Sequence, residues 1–164
     1  MRTDEVWHIV EARREDGTSA LFRIRDLEPV PRQETIFVVE LPYPPTQLSR
    51  LPDAASYRRL ATFEEQWIRP ACASLGWTFV AVKTEDGSAF HYMYGAGGTR
   101  PMVEKLSPFD GSLAFFDEHD AAWDEYAALR ELLAEANAMK KKPAPKKPAA
   151  KKPPKTKPKK KSKT

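Results

Sequence analysis

Two Asp-Gly pairs, Asp16-Gly17 and Asp86-Gly87, do most to limit what this chain can fold into. Each stands between short runs rich in β-formers. VWHIVEAR (6–13) and ALFRIR (20–25) flank the first pair; WTFVAVKTED (77–86) and SAFHYMYG (88–95) flank the second. Asp-Gly tolerates the positive φ that a tight hairpin corner demands, so both regions read as antiparallel hairpins, the second more strongly. Period-two alternation puts Phe22 and Ile24 on one face of their strand and Arg23 and Arg25 on the other. TIFVVEL (35–41) is nearly continuously apolar and reads as a strand buried on both faces. SLAFFD (112–117) reads as a further strand.

Helical spacing appears three times. Asp53 offers an N-cap, and Tyr57, Leu60, Phe63, Glu64, Trp67 and Ala71 follow at intervals of three and four. Five of these six are apolar, enough for one buried stripe. Pro70 predicts a kink or restart, and Gly76 a left-handed stop. Thr99–Leu106 reads as a short helix with Pro101 in its first turn. The longest helix follows Asp120, with Asp124 and Glu125 at its positive end, Lys140–Lys142 at its negative end and Pro143 as its limit. The fold class is therefore α+β. A hairpin precedes a β-α-β-β-α-β series, and a C-terminal helix follows it. That series is the split βαβ of ferredoxin-like folds, with helices expected on one face of the sheet.

Charge divides the chain at residue 139. Lys140–Thr164 contains 13 Lys and no acid. Of the 27 Lys+Arg in the chain, 14 therefore remain in residues 1–139, against 23 Asp+Glu, formally −9. The expected organisation is a folded acidic domain, 1–139, joined to a Lys/Pro/Ala-rich arm, 140–164. Proline blocks helix and ladder, and like charges repel, so the arm is expected to be extended and disordered. Its lysines (Lys140, Lys141, Lys142, Lys146, Lys147, Lys151, Lys152, Lys155, Lys157, Lys159, Lys160, Lys161 and Lys163) are point charges suited to phosphate. Binding to DNA or RNA would be independent of sequence and strongly salt-dependent. A solubilising extension, a ligand for anionic lipid, and a strap over the acidic body are the other readings. The single cysteine, Cys72, excludes an internal disulfide. No 18-residue apolar run and no signal-peptide core are present, so a cytoplasmic protein without a membrane span is expected, held at the nucleoid if the arm engages DNA.

The candidate chemistry is sparse. Asp117, Glu118, His119, Asp120, Asp124 and Glu125 gather near a strand end and a helix start, where carboxylates could hold a hard cation or serve an enzyme or small-ligand site. The plainer reading is capping by Asp120, with the others in water; no second His or Cys stands at ligand spacing, and no metal or other cofactor is expected. Trp123 and Tyr126, three apart, read as core with Leu129, Leu132 and Leu133 rather than as a binding platform. Phe90, Tyr92 and Tyr94 share a strand face that could stack bases, but the glycines and leading basic residue of an RNA-recognition motif are missing. Gly95–Gly98 lacks a phosphate-loop pattern and reads as a turn. Cys72 reads as a small buried hydrophobe, and His8 as a sheet residue.

FVVELPYP before a long helix, the TEDGSAFHYMYG hairpin and FFDEHDAAWDEYAALREL together carry a resemblance over roughly Trp7–Leu133. Asp120, Trp123 and Tyr126 resemble an Asp-x-x-Trp-x-x-Tyr signature opening the last helix of an uncharacterised bacterial domain family. That family looks related to the regulator of ribonuclease E activity, type B. The resemblance implies a ferredoxin-like fold and a non-catalytic protein that binds and restrains a partner enzyme; nothing in the residues identifies ribonuclease E as that partner. The arm resembles the lysine-rich tails of linker histones and bacterial histone-like proteins. A third reading remains a protein-interaction module whose tail is inert.

Overall fold

The computed structural model describes residues 5–141. Six strands form one antiparallel sheet: β1 (Trp7–Arg13), β2 (Ser19–Arg25), β3 (Thr35–Pro42), β4 (Thr78–Glu85), β5 (Ser88–Gly95) and β6 (Ala114–His119), in the order β1-β2-β4-β5-β3-β6. Four α-helices accompany it: α1 (Ala54–Phe63), α2 (Arg69–Leu75), α3 (Arg100–Leu106) and α4 (Asp124–Lys141).

Both hairpins form at their Asp-Gly pairs, by different turns. Asp86 and Gly87 take φ of 42° and 90°, the double positive that a two-residue connection between β4 and β5 requires. The β1–β2 turn is longer. Arg14 N–H donates to the Thr18 carbonyl, and Asp16 Oδ1 accepts from Thr18 N–H at 2.9 Å, leaving only Gly17 at positive φ. Asp53 Oδ1 caps α1 through Ser56 N–H at 2.8 Å. A π turn over Glu64–Ile68 then separates α1 from α2. Arg69 N–H reaches back to the Glu64 carbonyl, and Pro70, which has no N–H to give, falls within the first turn of the restarted helix. Gly76 ends α2 at φ 72°.

The expectation that all helices cover one face is corrected. On one face α1, α2 and α3 bury Phe37, Val39, Leu41, Phe79, His91 and Met93. On the other, α4 packs Trp123, Tyr126, Leu129 and Leu133 against Phe22, Ile24, Ile36, Tyr92 and Tyr94. Phe22 and Ile24, opposite in parity to Arg23 and Arg25, need cover that the first helical layer cannot give. Leu132 does not join this core; it lies off the stripe and is 38% exposed. β6 also runs two residues further than SLAFFD, because Glu118 and His119 stay in register with Ile36 and Thr35. No helix among the described residues is long and apolar enough to cross a membrane.

Candidate functional site: a cleft between the last strand and the last helix

The entry to α4 is fixed by Asp120. Its Oδ1 accepts from Asp124 N–H at 2.8 Å and its Oδ2 from Glu125 N–H at 3.1 Å, so it caps the helix from four residues upstream. Tyr94 donates its hydroxyl to the same Oδ2 at 2.7 Å and accepts Tyr126 N–H at 3.1 Å. Partial burial opposes charge on Asp120, but the bonds from Tyr94, Asp124 and Glu125 outweigh it and hold its pKa below the ordinary carboxylate value. Burial, then the bond to Asp120, pushes the Tyr94 phenol well up.

Trp123 precedes the helix at φ 57°, a left-handed conformation that costs a bulky residue energy. The indole offsets that cost. It stacks on Tyr94 with centroids 4.0 Å apart and planes at 10°, and Nε1–H donates to the Gln33 carbonyl at 2.7 Å. Tyr126 donates its hydroxyl to the Arg25 carbonyl at 2.7 Å while accepting Leu27 N–H at 3.2 Å and Arg130 Nη1 at 3.1 Å. The aromatic face of β5 is thus buried at Tyr92 and Tyr94 and half-buried at Phe90. Tyr94 lies under Trp123, and Tyr92 is 8% exposed.

With α4 anchored at the end of β2, it packs over β1 and β2 and leaves the β3–β6 side of the same face open. A cleft of about 430 Å³ results. Ile36, Val38, Tyr92 and Phe116 form its apolar surface, and residues Asp117–Asp120 with Asp124 and Glu125 form its rim. The sequence cluster therefore does converge, but its members divide. Asp117 takes the opposite parity of β6 and accepts from Thr99 Oγ1 at 2.9 Å; Asp120 is occupied as the cap. Glu118, Asp124 and Glu125 are exposed and form no ion pair among the described residues. Burial first, and the charge of Glu125 second, raise the Tyr92 phenol to about 12. No group of three or more His, Cys, Asp or Glu among the described residues is arranged to hold a metal ion. Val38 and Phe116 are the signal that sequence reading underused: apolar residues on a strand face that the final helix does not reach.

A smaller cavity, about 150 Å³, lies between α1 and the other sheet face, beside Leu60, Val82, His91 and the Arg23–Glu64 pair. Arg23 grips Glu64 with both nitrogens, at 3.1 and 2.8 Å, and covers the Trp7 ring at 5.1 Å. Its sequence signal is the acid, Glu64, in the otherwise apolar stripe from Tyr57 to Ala71, opposite an arginine on the alternating β2. His91, 2% exposed, meets Phe63 edge-on at 5.2 Å, and its Nδ1 has no hydrogen-bond partner. Cys72 is buried beside Met93, its thiol pushed up to about 12 by burial. Gly95 fits where no side chain could, since a Cβ there would lie 2.0 Å from the Trp77 ring. His8 sits at the sheet edge, 3.6 Å from Asp26. The tail lysines from Lys142 onward lie outside the described residues.

Fold and cleft together define an α+β protein built on one six-stranded antiparallel sheet, helix-clad on both faces and open at one acidic cleft. The chain belongs to a family of unknown function, DUF695, whose match spans residues 6–129. That span takes in both walls of the cleft and ends before the lysine-rich segment. No curated protein and no solved structure matches the chain.

Proposed function

We propose that the folded body is a non-enzymatic binding or regulatory domain, held on nucleic acid or another polyanion by its lysine-rich tail. The observation that carries this reading is the separation of charge: 13 Lys and no acid after residue 139, against a body of formal charge −9. Contact with phosphate then falls to the tail, and the body is left to engage a protein partner. In support of a binding role, Asp120 caps α4, Glu64 pairs with Arg23, and His91 and Cys72 are buried, which leaves Glu118, Asp124 and Glu125 as exposed acids of the cleft rim. The sheet order β4-β5-β3-β6 supports a ferredoxin-like core. It is consistent with kinship to the regulator of ribonuclease E activity, type B, and with a structural role for Asp120, Trp123 and Tyr126. In that reading the protein is bacterial, cytoplasmic and nucleoid-associated. The volume of the acidic cleft favours a second reading, a small-ligand or enzymatic site using its carboxylates.

The test is a salt series of DNA and RNA binding by the full chain and by a chain lacking Lys142–Thr164, which keeps every described residue. The full chain should lose affinity linearly in log salt, with a slope of about 0.9 per duplex phosphate engaged. The shortened chain should bind more than about tenfold more weakly. Equal binding by the two chains would overturn the role of the tail.

A further inference from the structure

The cleft combines an uncovered apolar strip with unpaired negative charge. Phe116 is 52% exposed and Val38 half-buried, on the sheet face that α4 covers over β1 and β2. Glu118 approaches from β6, and Asp124 and Glu125 from the first turn of α4, all exposed and without an ion pair among the described residues. Exposed apolar surface rimmed by charge is a binding surface for a segment that brings both apolar contact and the opposite charge.

We propose that this cleft is the docking site of the chain's own segment Lys142–Thr164, and that docking competes with the tail's polyanion partner. The segment has the required chemistry. Its 11 lysines stand singly or in runs of two and three, separated mainly by proline and alanine. Proline-rich chain favours polyproline II, which docks against aromatic and apolar surface at low entropic cost, while flanking ammonium groups meet carboxylates. No other stretch of the chain is as basic. The segment also has the reach. α4 contains 18 residues, so its C-terminal end lies about 27 Å from the cleft end. The 23 residues after Lys141 span about 70 Å as polyproline II, more than twice the return distance. The competition, but not the docking, rests on the polyanion reading above.

A spin label placed on the tail tests the docking. Ser162→Cys supplies a unique reactive thiol, because Cys72 is buried with its pKa raised to about 12. At about 50 mM salt the label should broaden the amide signals of Phe116–Glu118 and Asp124–Glu125. The broadening should vanish at about 0.5 M salt and in the E118Q/D124N/E125Q variant. Phe116→Ser, at an exposed position, should weaken it without changing charge, and this guards against a triple variant that folds poorly. Uniform broadening over the acidic surface, sharp cleft signals, or broadening that falls on dilution would overturn intramolecular docking. A tail docked nine-tenths of the time binds its partner about tenfold more weakly, so the triple variant should bind duplex about tenfold more tightly than the full chain. An unchanged affinity would overturn the competition. Duplex binding with sharp cleft signals would sink the docking and leave the polyanion reading standing. Broadened cleft signals without duplex binding would do the reverse.

Discussion

His91 should make this protein lose stability between neutral and mildly acid pH. The imidazole is 2% exposed, lies between Phe63 and Phe79, and leaves Nδ1 unpartnered. Burial is the main cause of its depressed pKa. The Arg23 charge adds to the effect, a backbone contact with Val39 opposes it, and the result is a drop from 6.5 to about 4. A base whose folded pKa lies below its unfolded value is protonated first in the unfolded chain. The unfolded state therefore binds more protons throughout that window, and stability falls as pH falls through it. With about 1.4 kcal/mol per pH unit of separation, the full effect is about 3 kcal/mol, complete only below the folded pKa. Between pH 7 and pH 5 it amounts to about 2 kcal/mol. Urea denaturation at the two pH values, on the native chain and on His91→Asn and His91→Leu, measures it. Carboxylates titrate alike in all three proteins, so the difference in slope isolates His91. Parallel slopes would refute the reasoning and would mean that the ring is charged or hydrated in the folded state.

Asp120→Ala removes a cap and the acceptor of the Tyr94 hydroxyl, and should cost about 2–4 kcal/mol in urea denaturation. Because the folded pKa of Asp120 is lowered, its contribution should be present above the ordinary carboxylate value and fade as pH falls through the folded one, so the variant should be less acid-sensitive than the native chain in that range. Gly95→Ala drives a methyl into the Trp77 ring, which is 8% exposed and hemmed in; a loss of about 2 kcal/mol or more is expected, read as a fall in the thermal midpoint. Cys72, buried with its thiol near 12, should react with a thiol reagent only as fast as the chain unfolds, so labelling within mixing time in native buffer would contradict its placement.

The hairpins were legible because their cause is local. Asp86-Gly87 supplies two positive φ values at adjacent residues, and no distant contact is needed to produce the turn. Asp53, Gly76 and Pro70 act locally in the same way. The side of the sheet taken by α4 was harder to read. The Trp123–Tyr126–Leu129–Leu133 stripe shows that one helix face is buried, but not against which surface. Thr35–Leu41 holds part of the answer, since a strand apolar on both faces calls for cover on both. Even so, Ile36 and Val38 stand two residues apart on one face and end differently, one 5% exposed and the other half-buried. That difference depends on where α4 crosses the sheet, and so on contacts about 90 to 100 residues apart in sequence: Trp123 with Gln33, and Tyr126 with Arg25. Periodicity cannot register such contacts. The Arg23–Glu64 pair, 41 residues apart, was hidden for the same reason.

Those two anchors also explain why the cleft stays open. They steer α4 toward β1 and β2, so the strip along β3 and β6 stays open beside an edge strand. An open edge next to exposed phenylalanine ordinarily invites pairing with a second copy. Here β6 carries Asp117, Glu118 and His119 in succession, with Asp124 and Glu125 close by. In an antiparallel β6–β6 pair, both copies would bring the same carboxylates to one edge, and like charges would oppose it. Acidic and neutral strands gain nothing from that rim, whereas a cationic segment does. Proline-rich chain, poor in ladder donors, is also suited to lie in the groove rather than to extend the sheet. Charges that oppose pairing with a second copy would at the same time favour the ligand proposed above, a basic extended peptide. The Lys/Pro/Ala segment that follows α4 has the composition of such a peptide, and its covalent tether would raise its effective concentration at the cleft proposed above as its docking site.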